Sequence, residues 1–216
     1  MGDSPRLSEL TVDALLDRLA SSDPVPGGGS AAALAAAMGA GLVAMVAELT
    51  IGRPEYAEND DLVSDLREAA RARKDQLLAL AEEDAVAYDA VVTARRLPKT
   101  SEPEREARAT ALRSAMVEAA RVPMRTAIVA AEVLEMAERM APIGNRNAVS
   151  DAGVAAQLAA AGVRGALLNV RINLPYLPAD EPLRLTAPAE IARLETVAAV
   201  HERAALGAVD ERLASS

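Results

Sequence analysis

A chain of 216 residues, 51% of them hydrophobic, is long enough to bury a full core as one domain. It has no cysteine and a single histidine, His201, which excludes disulfides, thiolate nucleophiles and a multi-histidine metal centre. A net charge of -9, from 23 basic and 32 acidic residues, argues against nonspecific nucleic-acid binding, and the only aromatics, Tyr56, Tyr88 and Tyr176, leave almost no surface for stacking bases.

The predicted elements are helices throughout. Thr11 can cap a first short helix that carries Leu15, Leu16 and Leu19 on its apolar side and ends in the Ser-Ser-Asp-Pro before a triple glycine. The stretch PVPGGGSAAALAAAMGAGLVAMVAELT, from Pro24 to Thr50, has no charge before Glu48. Gly27, Gly28 and Gly29 lack a Cβ, so the turn is free to take positive φ and to let a bound group touch the backbone. Ser30 stands where an N-cap belongs, and its hydroxyl and the unpaired first-turn N–H groups suit a polar or anionic ligand. Beyond it Ala31, Ala35, Gly39, Ala40, Gly41 and Ala44 keep the helix thin enough for neighbours to approach at backbone distance, as in the middle of a bundle. About 18 uncharged residues is also the length of a membrane span. Alanine and glycine favour insertion little, however, and no Lys or Arg cluster flanks the segment. The polar start MGDSPRLSEL is unlike a signal peptide, so the expectation is a cytoplasmic protein with no membrane partner.

Asn59, backed by Asp60 and Asp61, then starts a helix of roughly 35 residues that nothing breaks before Pro98. Ser101 and Glu104 form a capping box around Pro103 and open a second long helix, to about Met140, which Pro123 is expected to kink. A turn from Pro142 to Asn147 precedes an apolar helix beginning at Ser150 and stopping by Leu174, ahead of Pro175. Thr186 can cap a last helix that runs close to the C-terminus. No sustained period-two alternation is present, and only VRINL could pass for a strand. The predicted fold is all-α, an antiparallel bundle of about six helices, two of them long, with residues 1–216 as a single domain.

Polar residues within the apolar stripes mark candidate sites. On the first long helix Leu66, Ala70, Arg73, Leu77, Leu80, Asp84 and Val91 share one face. The charges of Arg73 and Asp84 there need partners or a cavity, whether in a structural ion pair or a functional site. Glu83, a step round the helix, reads as surface. In NAVSDAGVAAQLAAAGVRGALLNVRINL, residues Val154, Leu158, Ala161, Gly165, Leu168 and Ile172 are expected to form one buried stripe. Asn169 and Asn173 lie four apart on another face, and two amides in so apolar a helix want partners. Asp151, in the first turn, either complements the helix dipole or places a carboxylate beside backbone donors. Arg164 and Arg171 share a face and suit carboxylates or an interface. GGGS lacks the Gly-Lys-Ser/Thr ending of a phosphate loop, Ser30 has no visible base to make it a nucleophile, and His201 reads as structural.

Three of these stretches, PVPGGGSAAALAAAMGAGLVAMVAELT, EEDAVAYDAV and NRNAVSDAGVAAQLAAAGVRGALLNVRINL, together resemble the cyclodeaminase and cyclohydrolase family of tetrahydrofolate one-carbon enzymes. The resemblance covers nearly half the chain, in the family's order. It implies an all-helical homodimer acting on a folate-bound one-carbon group without metal or redox cofactor. In some members the domain follows a formiminotransferase domain, for which 216 residues leave no room. Motif membership and the chemistry of the reaction imply Asp84 as the carboxylate at the one-carbon centre, with Asp151 second. They further imply Gly27, Gly28, Gly29 and Ser30 on polar folate atoms, Asn147, Asn169 and Asn173 orienting the pterin or the water, and Arg171 on the glutamate tail. The expected activity is hydrolysis of methenyltetrahydrofolate. The alternatives are formimino-tetrahydrofolate cyclodeamination, and a noncatalytic folate-binding or scaffold module. Surplus apolar faces on the helices independently suggest a twofold dimer, in which Arg164 and Arg171 of one subunit could reach the other's site.

Overall fold

The computed structural model describes residues 5–215; the first four residues of the polar N-terminal stretch lie outside it. Six helices follow one another: α1 (Val12–Leu19), α2 (Gly28–Glu48), α3 (Asp60–Arg96), α4 (Glu102–Ile143), α5 (Val149–Asn173) and α6 (Pro182–Ala214). Short 3-10 turns join several of them, and no strand occurs among the described residues, so VRINL is the end of α5. Thr11 caps α1, its hydroxyl accepting from the Ala14 N–H at 3.2 Å. The capping box at the start of α4 forms as expected, Ser101 accepting from Glu104 N–H while the Glu104 carboxylate takes the Ser101 N–H at 2.8 Å. The helix runs on through Pro123 without interruption.

Two starts differ from expectation. α6 begins a turn before Thr186, with Glu181 at the cap position and Pro182 in the first turn; the Thr186 hydroxyl instead donates back to the Pro182 carbonyl at 3.0 Å. Proline at the first helical position has a preset φ and lacks only an N–H that would be unpaired there, so it outcompetes the threonine as a start signal. α5 begins at Val149, one residue before Ser150.

The centre of the bundle is the pair α2 and α5, each also packed on α4, with α3 on α2 and α6 on α4 and α5. Both central helices are long and apolar enough to cross a membrane by length and composition, yet most of their apolar residues are buried within the bundle. The pairing depends on missing side chains. A Cβ at Gly39 would lie 2.9 Å from the Ala155 carbonyl oxygen, and one at Gly162 would lie 2.7 Å from Ala36 Cβ and 3.0 Å from the Ala32 carbonyl oxygen. Around these points Ala33, Ala36, Ala40, Ala155, Ala159 and Ala166 are fully buried.

The face of α5 that turns inward is this alanine-rich one. The stripe Val154, Leu158, Ala161, Gly165, Leu168 and Ile172, expected to be buried, faces outward: Leu168 is 63% and Ile172 67% exposed, and Val154 and Ala161 are also exposed. Close helix approach selects small side chains for the seam, while Val163, Leu167 and Val170 are buried elsewhere on α5. Met38, Met45 and Leu49 on the adjoining α2 are exposed too, so one chain carries an uncovered apolar surface over both central helices. A second, smaller hydrophobic cluster, of Val91, Ala94, Ala115, Met116, Ala120 and Leu177, closes the far end of the α3–α4 hairpin.

The tight pairing gives a stability test by urea unfolding. Gly162→Ala, which forces a methyl against the backbone of α2, is expected to destabilise by about 1–3 kcal/mol. Gly207→Ala, in a part of α6 where a Cβ meets nothing within 4 Å, is expected to stabilise by about 0.5–1 kcal/mol.

Candidate active site

Antiparallel packing brings the N-terminus of α2 beside the C-terminus of α5, and α3 and α4 pass alongside. A cavity of about 390 Å³ opens there, between the main core and the smaller cluster. Gly27 to Gly29 form its floor, Asp84, Tyr88 and Arg95 come from α3, and Asn169 and Asn173 come from α5. Met116 and Val91 supply an apolar wall. A larger groove, of about 590 Å³, lies elsewhere on the α3–α4 pair. It is walled mainly by alanine and valine, and its carboxylates are engaged: Glu83 by Arg125, Glu118 by Arg121, and Glu82 by the Ser8 N–H. Convergent polar groups therefore single out the smaller cavity.

Asp84 is the chemical centre of this cavity. A Cβ on Gly29 would stand 2.2 Å from its Oδ1, so glycine is required for the carboxylate to sit against the first turn of α2. This close approach explains the glycine, since the turn does not use positive φ: Gly27 has φ -116 and caps the helix, and Gly52 is the one described residue with positive φ. Ser30, correspondingly, is not the cap. It lies in the first turn, fully buried, with its hydroxyl 2.9 Å from the Ala81 carbonyl and 3.0 Å from Asp84 Oδ2. One hydroxyl hydrogen faces two acceptors. With Asp84 ionised it donates to the carboxylate; with Asp84 protonated the acid donates to Ser30 and the hydroxyl hydrogen turns to Ala81. Either protonation state thus keeps a partner.

Burial pushes the Asp84 carboxyl above its ordinary value, while the Ser30 hydroxyl and backbone N–H pull it part of the way back. Two carboxamides face the same space. Asn169 donates through Nδ2 to the Gly165 carbonyl at 2.9 Å, and Asn173 through Nδ2 to the Ala119 and Asn169 carbonyls at 2.8 and 2.9 Å. No described donor occupies either Oδ1, so both remain acceptors for a ligand.

Of the residues expected at the site, the cavity gathers Gly27, Gly28, Gly29, Asp84, Asn169 and Asn173, with Ser30 directly beneath. Three do not join them. Asp151 and Asn147 lie at the opposite end of α5, roughly 27 Å from Asn169 at the helical rise for Asp151. There Asn145, Arg146 and Asn147 build the α4–α5 turn: the Asn145 N–H donates to Thr50 Oγ1 at 2.7 Å, its Nδ2 donates to the Leu49 carbonyl, and its Oδ1 accepts from the Asn147 N–H. Arg171 turns away to α6 and pairs with Glu195 at 2.7 Å. Arg164 pairs with Glu202 on α6, Arg73 with Glu132 on α4, and His201 with Glu138 on α4, all structural links outside the cavity. Tyr88, Arg95 and Tyr176 were missed from the sequence. The signal was there, since Tyr88 and Arg95 sit four and eleven residues after Asp84 and continue its face of the helix. Among the described residues no group of three or more His, Cys, Asp or Glu side chains could hold a metal ion.

A lone, half-buried carboxylate over a glycine-lined helix start, with two free amide acceptors, defines an acid–base site for a small polar molecule in an all-helical bundle. The chain belongs to the formiminotransferase-cyclodeaminase family, whose sequence model matches residues 11–193. Its relatives include the methenyltetrahydrofolate cyclohydrolase of Methylorubrum extorquens, 44% identical over 76% of this chain and 78% of the relative. The formimidoyltransferase-cyclodeaminase of Rattus norvegicus is 34% identical over 83% of this chain, which spans only 33% of that longer protein. The crystal structure of formiminotetrahydrofolate cyclodeaminase from Thermotoga maritima superposes with a TM-score of 0.84 at 28% identity, covering 96% of this chain and 99% of the other.

The raised Asp84 carboxyl has a consequence for stability. Between the ordinary carboxylate value of 3.8 and its raised folded value, the folded state holds the proton more tightly than the unfolded one, so Asp84 lowers stability as pH rises through that window. Asp84→Asn is therefore expected to raise the melting temperature at neutral pH, with the difference shrinking towards zero below about pH 4. Thermal melts across that range check it, and a variant less stable than wild type at pH 7 overturns it.

Proposed function

We propose that this protein is an enzyme of tetrahydrofolate one-carbon metabolism that hydrolyses 5,10-methenyltetrahydrofolate to 10-formyltetrahydrofolate. The observation that carries the reading is Asp84, a half-buried carboxylate whose carboxyl burial pushes above its ordinary value, in a cavity with free amide acceptors. The 44% identity to a methenyltetrahydrofolate cyclohydrolase supports the choice of substrate. The methenyl bridge is a cationic carbon between two folate nitrogens. Water adds to it as Asp84 takes one of the water's protons, giving a neutral carbinolamine; ionised Asp84 also offsets the cation's charge before addition. Asp84 then returns the proton to the pteridine-ring nitrogen as that C–N bond breaks, the hydroxyl loses its proton to solvent, and the carbon remains as formyl on the other nitrogen. Asn169 and Asn173 accept hydrogen bonds from pterin N–H groups, and the backbone N–H groups at the start of α2 hold polar atoms of the substrate.

A second reading is favoured by the likeness to a cyclodeaminase over almost the whole chain. In it the aryl nitrogen attacks the formimino carbon, a proton passes to the amino group of the tetrahedral intermediate, and ammonia leaves with a second proton from Asp84. Both readings have the protein acting in the cytoplasm on free folate, with no metal, redox cofactor, nucleic acid or membrane involved; the net charge of -9 supports the exclusion of nucleic acid.

We further propose a homodimer. The uncovered apolar surface of α2 and α5, with Leu168 and Ile172 at its centre, supports a twofold contact between copies. Ile172 also lines the cavity, so this contact borders the site. Arg164 and Arg171 pair with Glu202 and Glu195 on α6 of their own chain.

Two experiments test these readings. Loss of methenyl absorbance is expected to exceed the spontaneous rate and to fall by about 10²–10⁴ in Asp84→Asn. Ammonia release from formimino-tetrahydrofolate instead selects the cyclodeaminase, and neither reaction above background overturns both. Because Ser30 favours the ionised form of Asp84, Ser30→Ala is expected to move the acid limb of the rate profile to higher pH. Light scattering at micromolar concentration is expected to give twice the chain mass of 22.4 kDa, and Leu168→Arg to give the single-chain mass.

A further inference from the structure

Asp84, Tyr88, Val91 and Arg95 follow one another at helical spacing, and all four line the cavity. They form one lengthwise face of α3, with Arg95 roughly 16 Å from Asp84 along the axis. Arg95 is the one cationic side chain among the described residues that line the cavity. On α4, Arg121 is held by Glu118 and Arg125 by Glu83, and Arg108 donates to the Arg95 carbonyl. Arg95, by contrast, makes no ion pair with any described residue. It ends an exposed turn of helix with a charge that is ready for a ligand anion.

Two tyrosines share the cavity with Asp84 and Arg95. Tyr88 is 42% and Tyr176 63% exposed, both line the cavity, and they are two of only three aromatic residues in the chain. The third, Tyr56, has a structural task at the other end of the bundle, where its hydroxyl accepts from the Arg146 N–H at 3.0 Å. In a chain with almost no aromatic side chains, a pair left open at one cavity offers flat apolar area that suits a ligand ring.

A folate carries four parts in series: the pterin, the one-carbon bridge, an aryl ring, and a glutamate with its carboxylates. The cavity holds a counterpart for each part: the Asn169 and Asn173 acceptors, Asp84, the two tyrosine rings, and Arg95. Resting on the folate reading above, we propose that the substrate lies lengthwise along α3, with its aryl ring against Tyr88 and Tyr176 and a glutamate carboxylate on Arg95. Arg95 is then the residue that distinguishes a folate from the same molecule lacking its glutamate. In this reading it takes the role expected of Arg171, which pairs with Glu195 on α6.

The test is a cycle between protein and ligand. Wild type and Arg95→Ala are assayed with whichever of the two folate substrates wild type turns over, and with its pteroate counterpart, which ends at the aryl carboxylate. Arg96→Ala, the neighbouring exposed arginine outside the cavity, is the charge control. Arg95→Ala is expected to raise KM for the folate about tenfold with kcat unchanged, as for loss of one charge-assisted contact near the surface. Wild type is expected to show a similar rise for the pteroate, on which Arg95→Ala has no further effect. Tyr88→Ala is expected to raise KM for both ligands. An equal effect of Arg95→Ala on both ligands, or none on the folate, overturns the carboxylate contact, and an unchanged KM in Tyr88→Ala overturns the placement of the ring. If wild type turns over neither substrate, the catalytic reading fails separately. The same cycle is then read by equilibrium binding of 5-formyltetrahydrofolate and its pteroate counterpart: an Arg95 effect confined to the glutamate-bearing ligand upholds the contact, and its absence overturns it.

Discussion

The structure depends on how closely α2 and α5 approach. At Gly39 and Gly162 the two helices meet with no room for a methyl group, and the surrounding alanines keep the contact tight along its length. Little apolar area is buried per residue in such a pairing, so its stability rests on dense backbone-level packing and on the larger leucines, valines and methionines that α3, α4 and α6 add around it. The same closeness sets the site. It brings Asn169 of α5 over Gly28, whose Cβ would lie 3.6 Å from the amide nitrogen, and the first turn of α2 meets Asp84 only because Gly29 has no side chain. Packing and chemistry thus share one requirement, small residues on one helix.

How much of this was legible in the sequence varied with the range of the interaction. Helix order, the Thr11 cap, the Ser101–Glu104 box and the stop before Pro98 are set within a few residues of themselves and could be read directly. Asp84, Asn169 and Asn173 were legible because a polar group on an apolar face must meet a partner or a cavity. Choosing among such groups was harder. Asp151 and Asn147 belong to the same motif stretch as Asn169, but a helix of 25 residues puts its two ends in different places. The NRN turn is a structural clasp to Thr50 and Leu49, a contact about 95 residues away in sequence that no local pattern shows. Arg171 lies outside the cavity for a similar reason, since its partner Glu195 is on α6, out of reach of any local pattern.

The misplaced stripe on α5 has a physical lesson of its own. Hydrophobicity ranks leucine and isoleucine as the inward residues, and in a bundle of ordinary spacing they would be. When two helices pack at backbone distance, size decides which residues fit the seam. Alanine and glycine line it, Val163, Leu167 and Val170 are buried elsewhere on α5, and Val154, Leu168 and Ile172 are left on the outer face, where they need another surface. An expectation of surplus apolar area was therefore sound although the particular face was misassigned, and the displaced stripe is the surface that supports a contact between copies.

A site with one carboxylate also explains why hydrolysis and ammonia release occur among relatives of one fold. Both reactions pass through a tetrahedral carbon held between the same two folate nitrogens, with oxygen as the third substituent in one case and nitrogen in the other. Neither needs the protein to supply a nucleophile. Each needs a group that takes a proton at one step and returns it at the next, and Asp84, the group proposed for it, is buried beside a hydroxyl able to donate or accept. Selectivity must then come from how the folate is held, because the proton-transfer group is common to both. The residues proposed to bind the folate extend along α3 to Arg95, where differences in sequence alter what is bound without disturbing Asp84 and the glycine that makes room for it.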